Sequence, residues 1–324
     1  MRAAPRPAPV GAGLLGEGGR EEVVPLAEET FRSGFVGVVG RPNVGKSTLV
    51  NALVGRKVAI VSEKPQTTRN RILGVLNGPG YQMVFLDTPG MIEPRCELDQ
   101  YMVKITRGTV ADVDVVLLVV DGTERPGPAE RALVASFPRK GVAAVLAVNK
   151  VDLLGPAETA RALEAYGELY AFRHAVPISA LLGTNLEELR RAIYDCLPPG
   201  PRYYPEDMVT DQPDHFYVAE IIREKILELV REEVPYAVAV VVEEITTRPN
   251  GMLYIRAYVF CERAGQRGIL VGENARVLKT AGTRARQELE QYFGKRIYLD
   301  LWVKVRRDWR DDPSTLQQLG YRLK

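Results

Sequence analysis

Gly40-Arg41-Pro42-Asn43-Val44-Gly45-Lys46-Ser47-Thr48 lies between an apolar run, Phe35 to Val39, and Leu49-Val50-Asn51-Ala52-Leu53. The order is strand, glycine-bounded loop, helix, and the spacing fits G-x-x-x-x-G-K-[ST], a loop that wraps phosphates. Its glycines let successive backbone N–H groups turn inward. The helix N-terminus adds unpaired N–H groups and the positive end of its dipole. Lys46 is expected to meet the β- and γ-phosphates, and the Ser47 hydroxyl to hold Mg2+. The chain therefore reads first as a nucleotide phosphohydrolase.

Four further elements follow in order. Asp87-Thr88-Pro89-Gly90 comes after the apolar run Met83–Leu86. Asp87 would reach Mg2+ through water, and the Gly90 N–H would reach the γ-phosphate. Asn149-Lys150-Val151-Asp152 follows Val142–Val148. The Asp152 carboxylate can accept both N1–H and N2–H2 of guanine. Adenine presents the reverse polarity, so such a site discriminates by about 10^4-fold. Ser179-Ala180, after Val176–Ile178, can offer a backbone N–H to guanine O6. Gln66-Thr67-Thr68-Arg69 lies in a polar stretch suited to a mobile loop, and either Thr67 or Thr68 would complete Mg2+ coordination when a γ-phosphate is present. Each element alone is weak. Together, each at a strand end, they point to GTP and GDP as ligands.

Working outward, residues 33–198 alternate strand and helix patterns, which predicts an α/β domain with a mostly parallel sheet covered on both faces. The expected strands are Phe35–Val39, Met83–Leu86, Val115–Val120, Val142–Val148 and Val176–Ile178. A Pro-rich break around Leu197–Glu206 marks a linker, taken as 199–212. Beyond it, over 213–324, an αββααβ pattern is expected. It comprises a helix His215–Glu233, strands Tyr236–Ile245 and Met252–Phe260 joined through Arg248-Pro249-Asn250-Gly251, a helical turn Gly268–Val271, a helix Arg276–Phe293 and a strand Ile297–Val305. Residues 1–32, rich in Ala, Pro, Gly and Glu, lack a long apolar core and read as a disordered tail rather than a secretory signal.

Composition narrows the class. The chain has 324 residues, 46% hydrophobic and 26% charged, enough for about two soluble domains. Three distant cysteines and two histidines form no metal or disulfide pattern, which fits a reducing cytoplasm. The most apolar stretch, Val115–Val120, is too short to cross a membrane. Net charge is only +2, yet Gln266 to Lys324 carries 13 Lys and Arg against 7 Asp and Glu. That end either meets an anionic partner or is a solvated face.

The quoted motifs resemble the Era branch of translation-factor-related GTPases. So do Tyr204-Pro205-Glu206-Asp207, Thr210-Asp211-Gln212, Glu233-Val234-Pro235-Tyr236-Ala237 and Asp308-Trp309-Arg310, so the resemblance covers Gly34 to Leu323. It implies a P-loop GTPase domain followed by a KH-type RNA-binding domain. The partners implied are the 3′ end of small-subunit (16S) ribosomal RNA and the 30S subunit during its assembly. Peripheral association with the cytoplasmic membrane and a monomeric state are implied as well.

Two departures stand out. Met91 follows Asp87-Thr88-Pro89-Gly90, where Ras-like proteins carry a Gln that orients the attacking water. Hydrolysis is then either slow or served by another group, and the resemblance implies the latter. Asn43 is similar in position to an Asn that holds K+ in related GTPases, so it either holds K+, assisting catalysis beside Lys46 and Gly90, or only shapes the loop. In the second domain the backbone-gripping G-x-x-G becomes Gly272-Glu273-Asn274-Ala275, flanked by Arg267, Arg276, Lys279, Arg284 and Arg286. The Ala275 methyl and the Glu273 charge weaken close phosphate approach without excluding it. The leading expectation is a GTP-hydrolysing switch that binds ribosomal RNA. The alternative is an RNA-binding assembly chaperone in which nucleotide is only structural.

Overall fold

Strand β1 (Arg32–Val39) feeds the phosphate loop and helix α1 (Lys46–Val54) leaves it. Strands β2 (Ile72–Gly78) and β3 (Tyr81–Asp87) form an antiparallel hairpin. Then come α2 (Glu97–Ala111), β4 (Val115–Asp121), α3 (Pro128–Ala135), β5 (Ala143–Asn149), α4 (Pro156–Gly167), β6 (His174–Pro177) and α5 (Leu186–Tyr194). This computed structural model describes residues 30–138 and 141–322, so the expected tail falls outside the described residues up to residue 29.

The six strands lie in the order β2-β3-β1-β4-β5-β6, all parallel except the edge strand β2. Every residue of β4 is buried, as expected for a central strand covered on both faces. Val115, Leu117 and Val119 face a core built with α1 and α5, through Leu49, Leu53, Leu189 and Ile193. Val116, Leu118 and Val120 face a second core built with α2, α3 and α4, through Val110, Leu133 and Tyr166. The parallel strands therefore end together on one edge, the place where open α/β sheets bind ligands.

Strand β2 was not among the expected strands. Gly74 interrupts its apolar run where α1 packs close, and a Cβ there would lie 3.0 Å from Val54 Cγ2. The Pro-rich segment is strapped along this side of the sheet. Tyr203 and Tyr204 N–H both donate to Gln82 Oε1, Val75 N–H donates to the Val209 carbonyl, and Thr210 Oγ1 donates to the Leu73 carbonyl.

The C-terminal half comprises α6 (Asp214–Leu227), α7 (Val234–Ala237), β7 (Ala239–Thr247), β8 (Leu253–Cys261), α8 (Ala264–Val271), α9 (Arg276–Phe293), β9 (Ile297–Val305) and α10 (Pro313–Gln318). Its sheet, β7-β8-β9, pairs β7 with β8 antiparallel and β8 with β9 parallel. Val218, Ile221, Ile222 and Ile226 of α6 and Ala281, Ala285 and Leu289 of α9 close one core over Ile255, Ala257 and Val259 of β8. Three boundaries differ from expectation. The helix expected to reach Glu233 stops at Leu227, and Glu232 then takes a left-handed backbone (φ 58°). Val234–Ala237 winds into a separate turn with Pro235 near its start, so the strand begins at Ala239 rather than Tyr236. The turn expected at Gly268–Val271 is a full helix from Ala264.

Residues from Phe31 onward form one compact unit. Trp309 is fully buried, its indole N–H donates to the Ala237 carbonyl, and it joins Tyr321 and Leu316 against Leu98, Tyr101 and Met102 of α2. Among the described residues, no helix is long and apolar enough to cross a membrane.

Candidate nucleotide site and nucleic-acid interface

The phosphate loop is shaped by backbone that few side chains tolerate. Gly45 has φ 97°, and a Cβ there would lie 2.3 Å from Asn149 Nδ2. Asn43 is also left-handed (φ 63°), a conformation Asn tolerates better than most residues. Lys46 lies inside the loop, donating to the carbonyls of Gly40 (3.1 Å) and Arg41 (2.8 Å). Burial pulls its pKa down to about 8, against the opposing pull of Asp87. Arg41 turns outward to Glu124 and to the buried Glu130.

Three oxygen donors converge beside Lys46. Ser47 Oγ donates to Asp87 Oδ2 at 2.6 Å and lies 2.8 Å from Thr68 Oγ1. Burial pushes the Asp87 carboxyl up to about 6, with Lys46 and the Ser47 hydrogen bond pulling the other way. Asp87 Oδ1 is buried without a hydrogen-bond partner. An orphaned carboxylate oxygen beside two hydroxyls is the hard oxygen donor set that suits Mg2+. Thr67 does not join them, because its hydroxyl donates to the Lys64 carbonyl at 2.6 Å. Lys46, Ser47, Thr67 and Thr68 line one cleft with Thr48, Gly90, Pro42 and Asn43, and Asp87 lies buried behind Ser47.

The base-reading elements meet through Asn149. Its Nδ2 donates to the Val44 carbonyl (2.8 Å) and its Oδ1 accepts the Ala180 N–H (2.9 Å), tying the phosphate loop to the Ser179-Ala180 turn. In this structure the Ala180 N–H is held by Asn149 and the Ser179 N–H by the Thr184 carbonyl. Lys150 takes a left-handed backbone and its ammonium is fixed by Asp121 at 2.5 Å. Asp152 follows in a short 3-10 turn with its carboxylate exposed.

Met91 packs against the second core, and its N–H donates to the Gly40 carbonyl of the phosphate loop at 3.1 Å. Asn43 Nδ2 reaches across to the Glu63 carbonyl at 2.7 Å, linking the phosphate loop to the α1–β2 loop.

On the C-terminal half, Gly272 ends α8 with φ 71°, and a Cβ there would meet Val277 Cγ2 at 2.7 Å. Asn274 and Ala275 are both left-handed (φ 51° and 60°), so Ala275 occupies backbone that suits glycine. Glu273, Arg267, Arg276 and Lys279 are exposed around this loop, and the Lys279 ammonium donates to the Asn274 carbonyl. These three cations form no ion pair among the described residues. Arg284 and Arg286, expected to add attraction, are engaged by Glu228 and Glu290.

Motif reading missed Arg69 as an interface residue and Arg223 altogether. Arg69 donates to the Pro235, Tyr236 and Val238 carbonyls, and Arg223 to the Thr67 carbonyl. Backbone acceptors carry no sequence signature, so nothing in the motifs marked these contacts.

A family model described as a 50S ribosome-binding GTPase matches residues 35–150, and one described as a KH domain matches 233–310. GTPase Era of Heliobacterium modesticaldum is 46% identical over 90% of this chain and 98% of its own length. That of Lacticaseibacillus paracasei is 47% identical over 90% and 97%. Two solved structures are similar throughout. Era in complex with MgGDPNP and nucleotides 1506-1542 of 16S ribosomal RNA is 42% identical with a TM-score of 0.88, covering 90% of this chain and 100% of that one. An Aquifex aeolicus Era variant bound to GDP and AlF4− is 41% identical with a TM-score of 0.87, with the same coverage. A phosphate loop, an Asn-Lys-x-Asp element and a KH-type loop on these folds, with relatives this similar over nine tenths of the length, lead to one conclusion: the chain belongs to the Era family of GTPases.

Proposed function

We propose that this protein is a GTP-hydrolysing switch that binds small-subunit ribosomal RNA near its 3′ end and assists assembly of the 30S subunit. The observation that carries the reading is the convergence of Lys46, Ser47, Thr68 and Asp87 at the sheet edge, where the loop between α1 and β2 brings in Thr68. The RNA partner is supported by the Era protein solved with 16S nucleotides, 42% identical over nine tenths of this chain.

Ser47, Thr68 and Asp87 are the residues that would hold Mg2+, which when bound draws charge from the phosphate oxygens. Lys46 exchanges its two loop carbonyls for the β- and γ-phosphates, which restore the charge that burial disfavours. Backbone N–H groups from Asn43 to Thr48 surround the phosphates, and the Gly90 N–H meets the γ-phosphate as negative charge develops there. Asp152 reads the guanine edge. Met91 holds no proton acceptor and faces the core, so the attacking water must be oriented by other groups. Asn43, whose Nδ2 donates to the Glu63 carbonyl in the loop that carries Thr68, would have its Oδ1 left to offer K+.

The competing reading, nucleotide as a structural ligand only, draws on that same core-facing Met91. Turnover separates the two. Unaltered chain should hydrolyse GTP repeatedly and ATP hardly at all, and Lys46→Ala should lose tight triphosphate binding in a calorimetric titration. Binding without turnover would favour the structural reading, and unchanged GTP affinity in Lys46→Ala would defeat the site assignment.

A further inference from the structure

The loop from Gly55 to Arg71, between α1 and β2, is walled by the C-terminal half along much of its length. Lys57 Nζ lies 2.6 Å from both Glu224 of α6 and Glu288 of α9. Ile60 is buried in the C-terminal core, not in either nucleotide-domain core. Val61 N–H donates to Glu224 Oε1 at 2.9 Å. Arg223, 1% exposed and paired with Glu220, donates to the Thr67 carbonyl.

Arg69 makes the reverse crossing. It is 3% exposed and has no carboxylate partner among the described residues. Its guanidinium donates to the carbonyls of Val238 (2.6 Å), Tyr236 (3.1 Å) and Pro235 (3.2 Å), and lies 5.7 Å from the Trp309 ring centroid. These carbonyls close the end of α7, where a helix leaves its last C=O groups unpaired and its dipole favours a cation. Without a carboxylate, the guanidinium depends on these backbone oxygens and on the Tyr321 hydroxyl, 3.3 Å from its Nη1.

Each half thus lends one buried arginine to the backbone of the other, and Thr68 lies between the two crossing points, the Thr67 carbonyl and Arg69. Thr68 is the threonine that approaches Ser47. Planar guanidinium donors fixed on several carbonyls are directional and do not slide freely.

We infer that Arg69 and Arg223 are positioning residues that couple the phosphate-sensing loop to α6 and α7, so that a shift of Thr68 toward bound triphosphate is transmitted to the C-terminal half. The inference rests on the reading of Ser47, Thr68 and Asp87 as the phosphate and cation site. Coupling of this kind is reciprocal: whatever steadies α7 changes nucleotide affinity by the same factor.

Hydrogen–deuterium exchange of the full-length chain, read by mass spectrometry with GDP and with a non-hydrolysable GTP analogue plus Mg2+, tests it. In the unaltered chain, exchange of a peptide covering residues 234–240 should differ between the two nucleotides by roughly threefold or more. Arg69→Met keeps the volume and removes the donors, and should erase that difference while residues 40–50 still respond to nucleotide. Arg223→Gln, on the opposite half, should do the same. No nucleotide dependence at 234–240 in the unaltered chain would overturn the inference, as would dependence that survives both substitutions. If both variants also lose the response at 40–50, the arginines are merely structural and the inference fails. A silent 40–50 peptide in the unaltered chain would instead sink the nucleotide-site reading, and the inference with it.

Discussion

Ala275 shows how a single residue sets the balance at the nucleic-acid loop. Its backbone is left-handed, φ 60° and ψ 26°, which costs an L-residue about 1–2 kcal/mol. Glycine would relieve that but give up about 0.5–1 kcal/mol of unfolded-state entropy. Ala275→Gly should therefore raise stability by up to about 1.5 kcal/mol in a urea titration, and tighten RNA binding if the methyl obstructs the backbone. A loss of stability would show that the strain is not there. Asp152 is exposed beside the Asn149 bridge, so its carboxylate is available to a base. Asp152→Asn should weaken GTP and favour xanthosine triphosphate, whose extra carbonyl accepts from the new amide. Full GTP affinity with indifference to xanthosine triphosphate would contradict the assignment. Residues of this type were legible in the sequence because spacing alone carries them. Arg69 and Arg223 were not, since their partners are carbonyls 156 to 169 positions away.

At the scale of elements, the buried strands β4 and β5 and the helices after them were legible from apolar runs and periodicity. Strand β2 was not, because Gly74 yields space to Val54 of α1 and breaks the run. The end of α6 was hidden for a related reason. Apolar residues continue past Leu227, yet Glu232 turns left-handed and Pro235 starts a new helix. Between α1 and β2, the Asn43–Glu63 contact places the phosphate loop against the loop that carries Thr68. If K+ completes catalysis there, replacing K+ with Na+ should slow GTP hydrolysis more than Met91→Ala does. The latter is expected to cost less than about 10-fold, or ~1.4 kcal/mol. Asn43→Ala should then remove the difference between the salts. Equal rates in K+ and Na+ would eliminate the cation while leaving GTP hydrolysis in place.

Across the whole molecule, the two halves share buried surface as well as a linker. Trp309 and Tyr321 pack on α2, Ile60 enters the C-terminal core, and residues 203–210 lace to the β2–β3 side of the sheet. Composition showed that the C-terminal end is basic, but not which cations are available. Arg284 and Arg286 are paired, whereas Arg267, Arg276 and Lys279 surround the Gly272–Ala275 loop. Phosphate attraction there should follow salt concentration. The most direct test is fluorescence anisotropy of the full-length chain with a labelled 3′-end fragment of 16S ribosomal RNA, in GDP and in a GTP analogue, at several salt concentrations. The expected result is binding at least ~10-fold tighter with the GTP analogue, weakening as salt rises and weakened further by Arg276→Glu. Absence of salt-dependent binding in both nucleotide states, with Arg276→Glu without effect, would contradict the account.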